Sequence, residues 1–403
     1  MKWEKKLDGA LPIKSWAEEI EEEAMKQAAN LATHPAVRMH VALMPDCHVG
    51  YGMPIGGVVA CENALIPNAV GVDIGCGVCA VKTSIDSESV GENKFRKILD
   101  IIKRDVPLGE GHHRRVEIPW DGFDKHRKMA EKDGGLPYLD KRGWEAAVLG
   151  LGSLGGGNHF IEFDHEMGTG CLWLLLHSGS RNLGHRTATY YHDLARKSCE
   201  KKKIKIPSQD LAFLDAGSDE GRRYVRDMNF ALEYAKENRR IMMEFMKKAV
   251  IQCIPETAFH QEINIHHNYA AYEDINGRFF WIHRKGATSA RKGQKGVIPG
   301  SMGTASYIVE GLGKAESFFS CSHGAGRRMG RTKANQTLSL EECSEAMKAI
   351  IFEGWKKNSK KGSAGYDLSE APQAYKDIEE IISSQSDLVV PLARLLPLAV
   401  MKG

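Results

Sequence analysis

No stretch of the 403-residue chain approaches 18 uninterrupted apolar residues, and the densest run, Cys171–Leu176, is far too short to cross a bilayer. The amino-terminal MKWEKKLDGALPIKSW is basic at its start but has no apolar core, so no secretory leader is expected. Nine cysteines make no disulfide framework, and an odd count argues further against one. The chain also lacks an internal repeat of fixed period, a low-complexity tract and a linker rich in proline or serine. Charge of one sign is scarce: 55 basic against 52 acidic residues leave +3, which by itself implies no nucleic-acid partner. These absences leave a soluble protein of a reducing compartment, expected in the cytoplasm without membrane contact.

What is present is ordinary globular material, 42% hydrophobic and 27% charged. Ser15-Trp16-Ala17-Glu18 reads as a capping box that opens a helix toward Asn30, with Pro35 ending it. Strands are expected at Val37–Leu43 (stopped by Pro45), Gly56–Ala60, Val78–Val81, Phe160–Phe163, Cys171–Leu176 and Phe279–Ile282. Helices are expected at Lys94–Lys103, Arg222–Val250, Leu340–Trp355 and Ala374–Ser384, with a long loop holding helical pieces from Val106 to Leu136. The two element types interleave without a clean division. The expectation is therefore one large α+β domain over residues 1–403, its sheets flanked by helices.

Two familiar patterns carry little. Gly150–Gly155 fits GxGxxG, yet a helix-like segment precedes it and a strand follows, the reverse of a dinucleotide fingerprint. Cys76 and Cys79 fit CxxC without a second pair, and Cys79 is expected to turn away into the following strand. A stronger signal comes from five Gly-rich or small-residue loops that end in residues able to bind metal or phosphate. Gly71–Gly77 offers Asp73 and Cys76; Leu154–His159 delivers His159; His177 ends a buried strand; Asn264–Asn268 holds paired histidines; His323 sits in Ser322–Arg327. A lone histidine is usually a hydrogen-bonded structural residue, but the coincidence of five such positions at strand–loop junctions favours a metal site. Asp73, Cys76, His159, His177 and His267 exceed the needs of one tetrahedral ion, and a thiolate can bridge two. A pair of ions roughly 3.5–4 Å apart follows. Mixed N/O/S ligation favours zinc over manganese on affinity alone, and the sequence leaves the metal open.

Basic residues cluster at His112–Arg115, Lys201–Lys205, Arg284–Lys295, Arg327–Lys333 and Lys356–Lys361. Arg181, Arg327 and Arg331 offer forked donors suited to phosphate.

GVDIGCG (71–77), LGGGNHFIE (154–162), LHSGSR (176–181), HHN (266–268), PGSMGTASY (299–307), CSHGAGR (321–327) and the terminal Met401-Lys402-Gly403 together resemble the RtcB-type RNA ligases. The motifs run in family order from Pro45 to the last residue. The resemblance implies an RtcB-like fold with its active site in a central cleft lined by Gly-rich loops. It implies joining of RNA 3′-phosphate or 2′,3′-cyclic phosphate ends to 5′-hydroxyl ends, with GTP and two Mn²⁺ ions. His323 would accept GMP. Asp73, Cys76 and His159 would hold one ion, and Cys76, His177 and His267 the other. Asn158, His159, Phe160, Ile161, Glu162, His267, Asn268, Pro299, Gly300, Ser301, Met302, Ser306, His323, Gly324, Ala325, Gly326 and Lys402 would surround the guanylate. Arg181 and Arg327 would bind RNA-end phosphates, and the resemblance leaves room for an activating protein. Tyr51, Asn182 and Gly330 stand where the family commonly has lysine, glycine and serine. A dinuclear metal phosphoesterase acting on RNA ends is the alternative enzyme, and an RNA-end binding module with a structural metal is the non-enzymatic one.

Overall fold

The computed structural model describes residues 1–357 and 365–403; of the basic run at Lys356–Lys361, positions 358–361 lie outside the described residues. Seven strands form an antiparallel sheet in the spatial order Phe259–His266, Gly77–Asp86, Cys171–Ser178, Phe160–Glu166, Val389–Lys402, Ser306–Gly311, Lys295–Ile298. A second sheet orders Trp3–Lys5, Ile13–Ser15, Val37–His48, Ile55–Cys61, Arg278–Lys285 and Asn268–Ile275. Helices pack against these sheets, so the architecture is mixed α+β.

Strand alternation explains why the seven-stranded sheet is buried on both faces. Cys79, Val81, Ile161, Phe163, Leu174 and Leu176 point to one face, where they meet Phe95, Ile98 and Ile102 of the helix Glu92–Asp105. They also meet Met242, Met243 and Met246 of the long helix Asp219–Cys253. Val78, Ala80, Phe160, Trp173 and Leu175 point to the other face and pack on Met302 and Met347.

The register then aligns strand ends. Lys402 lies opposite Phe160, Phe160 opposite His177, and Gly77 opposite both Ser178 and His266. One end of the sheet thus gathers the motif-bearing loops. The short pair Ala287–Ser289 and Ser320–Ser322 sets His323 beside Gly286, at the matching end of the second sheet.

Several expectations are corrected. Ser15 caps no helix: it ends a strand paired in parallel with Val41–Leu43, and the helix begins only at Glu22. Tertiary contacts override the local signal there, because Trp16 is fully buried and its indole donates to Asp387 Oδ1 at 2.9 Å. Pro45 does not stop its strand, which runs to His48. It falls in the register shift between Leu43 and His48, where the missing N–H is not owed to a neighbour. The helix expected over Leu340–Trp355 covers only Leu340–Ala346, since Ile351 bonds instead to the backbone of Leu398 and Val400. Ala374–Ser384 contains a helix at Ile378–Ser384 capped by Asp377. The structure adds a helix at Leu183–Lys201 and a strand at Val389–Lys402 that no local sequence signal announces.

Phe163 is fully buried and meets Phe95 edge to face at 6.0 Å. Phe163→Ala is expected to lower stability by about 3–5 kcal/mol in urea unfolding, the usual cost of an emptied aromatic site.

Candidate active site

Cys76, at the end of the Gly71–Gly77 loop, is the point where two groups of potential ligands meet. Asp73, Cys76 and His159 form one group and Cys76, His177 and His267 the other, with ligand atoms inside each group within 4.8 Å of one another. Cys76 Sγ lies 3.4 Å from His159 Nε2 and 3.2 Å from His177 Nε2, and His159 Nε2 lies 3.5 Å from Asp73 Oδ2. The Nδ1 atoms face carbonyls: His159 toward Leu154 O at 2.9 Å and His177 toward Asn158 O at 3.1 Å. A carbonyl accepts only from Nδ1–H, so the tautomer is set and the Nε2 lone pairs converge on the sulfur.

Burial pushes His177 and His267 well below the usual imidazole range, with neighbouring histidines acting in the same direction. Burial, then the Asp73 charge, pushes the Cys76 thiol well up. The set is therefore rich in lone pairs and poor in positive charge, which fits a divalent cation in each group.

The long helix Asp219–Cys253 holds these loops in place through two adjacent buried residues. Arg239 Nη1 donates to Gly75 O at 2.8 Å and Ser178 O at 2.9 Å, Nε donates to Asn264 Oδ1 at 2.8 Å, and Nη2 lies 3.0 Å from His266 Nδ1. Asn238 accepts from Gly152 N and donates to the carbonyls of Ser153 and Gly179.

A cavity of about 370 Å³ opens beside the clusters. Its walls include Asp73, Cys76, Asn158, Phe160, Glu162, His177, His267, Asn268, Pro299, Gly300, Ser301, Met302, His323, Gly324, Ala325, Gly326, Arg327 and Lys402. His323 and His267 rings are 4.8 Å apart. Asp46, fully buried, receives both the His323 backbone N–H at 3.0 Å and Nδ1 at 2.6 Å on one oxygen, Oδ2. Burial would raise the Asp46 carboxyl, but the charge and hydrogen bonds of His323 outweigh it and hold it low. Gly326 makes this closeness possible: its φ is +71°, and a Cβ there would sit 2.5 Å from the Asp46 carbonyl oxygen.

Four expected residues sit elsewhere. Ile161 faces the apolar core, because its neighbours Phe160 and Glu162 take the cavity side of the strand. His159 does not line the cavity itself but joins Asp73 and Cys76 of its wall in one ligand group. Ser306 is buried behind it and accepts from Gly300 N at 3.2 Å. Arg181 lies against the His159 loop with Nε on Ser153 Oγ at 2.9 Å, so close to Gly155 (φ +96°) that a Cβ would collide with both side chains. Arg327 lines the cavity with its donors already engaged: Nε to Met329 O, Nη1 to Glu370 and the Tyr375 hydroxyl, Nη2 to Ser369 O.

Other residues in and around the cavity carry weak sequence signals. Asp46 stands in a short acidic–cysteine–histidine run without metal spacing, and Glu370 and Tyr375 in an unremarkable loop. Burial would raise Glu370, but Lys402 and Arg331 hold it at about 2. Lys285, inside the basic run Arg284–Lys295, is pushed down to about 7 by burial and donates to Asn68 O and Tyr51 O. Among the departures, Tyr51 is exposed. Asn182 adopts φ +71° before the helix Leu183–Lys201, a conformation that asparagine tolerates almost as glycine does, and Gly330 precedes a short helix.

The model of the family described as tRNA-splicing ligase RtcB matches residues 27–403. The chain belongs to the RtcB family. The RNA-splicing ligase RtcB of Escherichia coli K12 is 38% identical over 410 residues, spanning 97% of each chain. The tRNA-splicing ligase RtcB of Methanococcus maripaludis is 33% identical over 456 residues, spanning 96% of this chain and 92% of the relative. The RNA-splicing ligase RtcB of Mycobacterium tuberculosis is 32% identical over 444 residues, spanning 94% and 100%. In this RtcB-family chain Cys79 is buried in the core, apart from Cys76, so CxxC is no metal pair. No helix among the described residues is long and apolar enough to cross a membrane.

Cys76→Ala is expected to abolish tight divalent-cation binding in both groups, measured by metal content after dialysis. Retention of two ions per chain would refute the sharing of the sulfur.

Proposed function

We propose that the chain is a GTP-dependent RNA ligase, in tRNA splicing or RNA repair, joining 3′-phosphate or 2′,3′-cyclic phosphate ends to 5′-hydroxyl ends. The observation that carries this reading is His323, a cavity histidine braced through Nδ1 by a buried carboxylate and set beside the ligand clusters.

Asp46 accepts from Nδ1–H, which leaves Nε2 as the nucleophilic nitrogen. Nε2 attacks the α-phosphorus of GTP, an N–P bond forms, and the P–O bond to pyrophosphate breaks. The phosphorylated ring is cationic, and the Asp46 carboxylate compensates that charge. An oxygen of the RNA 3′-phosphate then attacks the same phosphorus and His323 departs as neutral imidazole, which is a good leaving group. The product is an RNA(3′)pp(5′)G end. The 5′-hydroxyl attacks the RNA-side phosphorus, loses its proton, and GMP leaves. Without this activation the leaving group would be hydroxide or oxide, which is far poorer. A cyclic end is first opened by water to a 3′-phosphate.

Asp73, Cys76 and His159 would hold one Mn²⁺, and Cys76, His177 and His267 the other. When bound, the ions neutralise phosphate charge and supply an activated water. Glu162 and Lys402 in the cavity wall suit a guanine base, whose edge offers two adjacent donors and a carbonyl.

Incubation with α-labelled GTP and Mn²⁺ is expected to leave acid-labile label on the protein, and His323→Ala to abolish it. Asp46→Asn is expected to slow labelling roughly a hundredfold, because the uncharged amide no longer supports a cationic ring. A dinuclear phosphoesterase or an RNA-end binding module would take up no label.

A further inference from the structure

Asp164 is a buried acid that the chemistry above does not use. It lies two residues beyond Glu162 on the same face of the strand Phe160–Glu166, is 0% exposed, and neither carboxyl oxygen has a hydrogen-bond donor among the described residues. Its surroundings explain the lack. Across one edge it faces Pro397, whose side chain has no donor, and across the other Trp173, whose indole donates to Glu166 Oε2 at 2.7 Å. Nearby cations are committed elsewhere: Lys82 to Glu166 at 2.7 Å and Lys402 to Glu370 at 3.4 Å. Around them lie Leu175, Leu395 and Val400. A lone carboxylate in such a setting costs several kcal/mol, so the group holds a proton instead.

The carboxylate of Glu162, two residues away on the same strand face, is the neighbouring acceptor for that proton. We propose that Asp164 is a positioning residue: it carries the single proton of this buried pair and donates it to Glu162, which therefore meets the cavity as an acceptor-only carboxylate. Burial raises both groups, Asp164 the further of the two. Lys402 and Ser306 favour ionised Glu162, whereas the Glu162 charge disfavours ionised Asp164, so the proton belongs on Asp164.

The consequence is a choice of base, and it rests on the reading of the cavity as a nucleotide site. Guanine presents N1–H and N2–H, two donors that a carboxylate accepts. Adenine presents a lone pair at N1, which a carboxylate repels and a protonated Glu162 would welcome. Asp164 thereby keeps the site closed to adenine without touching the nucleotide.

The test compares wild type, Asp164→Asn and Asp164→Leu. Asparagine keeps a neutral donor, so its ratio of GTP to ATP labelling is expected to stay within about threefold of wild type. Leucine removes the donor, so the ratio is expected to fall by about tenfold or more. An unchanged ratio in Asp164→Leu, or a collapsed one in Asp164→Asn, overturns the proposal. An independent readout uses nucleotide-free protein: the infrared difference spectrum of wild type against Asp164→Asn is expected to contain a protonated-carboxyl C=O band, and its absence overturns the proposal whatever the labelling. Absence of any label on wild type would sink the nucleotide reading, and base selection with it, even with the band present.

Discussion

Arg239 is the charge around which the ligand-bearing loops close. One fully buried guanidinium holds the carbonyl before Cys76, the carbonyl after His177 and two side chains of the strand that leads to His267. Its planar fork satisfies groups from three separate segments at once, which an ammonium could not do. Because Arg239 comes from the middle of a 35-residue helix packed on the seven-stranded sheet, the loops inherit the rigidity of that packing. Asn238 beside it does the same for the Gly-rich turn before His159. The ligand groups are therefore preorganised by a helix that supplies no ligand.

Preorganisation has an electrostatic cost here. Burial leaves the imidazoles of His177 and His267 neutral and the thiol of Cys76 reluctant to ionise, while Asp73 keeps its charge with help from His159. In the proposed reading, cations held by these donors would offset that cost and ionise the sulfur, which would link cation affinity to folding stability.

What the sequence made legible follows from this construction. Loops rich in glycine that end in histidine, cysteine or aspartate mark places where a backbone must turn tightly at a strand end. Those positions were readable because both constraints are local. Ile161 was carried along by its motif, although alternation along the strand turns it into the core. Asp46 and Arg239 gave no usable signal: one meets its partner 277 residues away, and the other sits inside an amphipathic helix where arginine is ordinary. Ser15 shows the opposite failure, a clear local cap overruled by the burial of Trp16. Lys402 would ordinarily be discounted as a fraying end. The 14-residue strand Val389–Lys402 instead holds it in the sheet beside Phe160.

Two residues of the cavity wall, His323 and Glu162, each stand beside a buried acid, Asp46 and Asp164. Asp46 is kept ionised by His323 and accepts from its Nδ1; in the proposed reaction it would leave Nε2 free for attack and tolerate the positive ring that results. Asp164 has no cation paired with it among the described residues, and in the proposal above its proton fixes what Glu162 presents. The two carboxyls are equally buried, and only their partners differ. That difference lets one polypeptide hold a base-like and an acid-like group at the same pH, a division of roles that neither residue type nor sequence spacing would reveal. The chemistry of the site is thus written in the partners of its acids, and those partners are supplied by the register of the sheets.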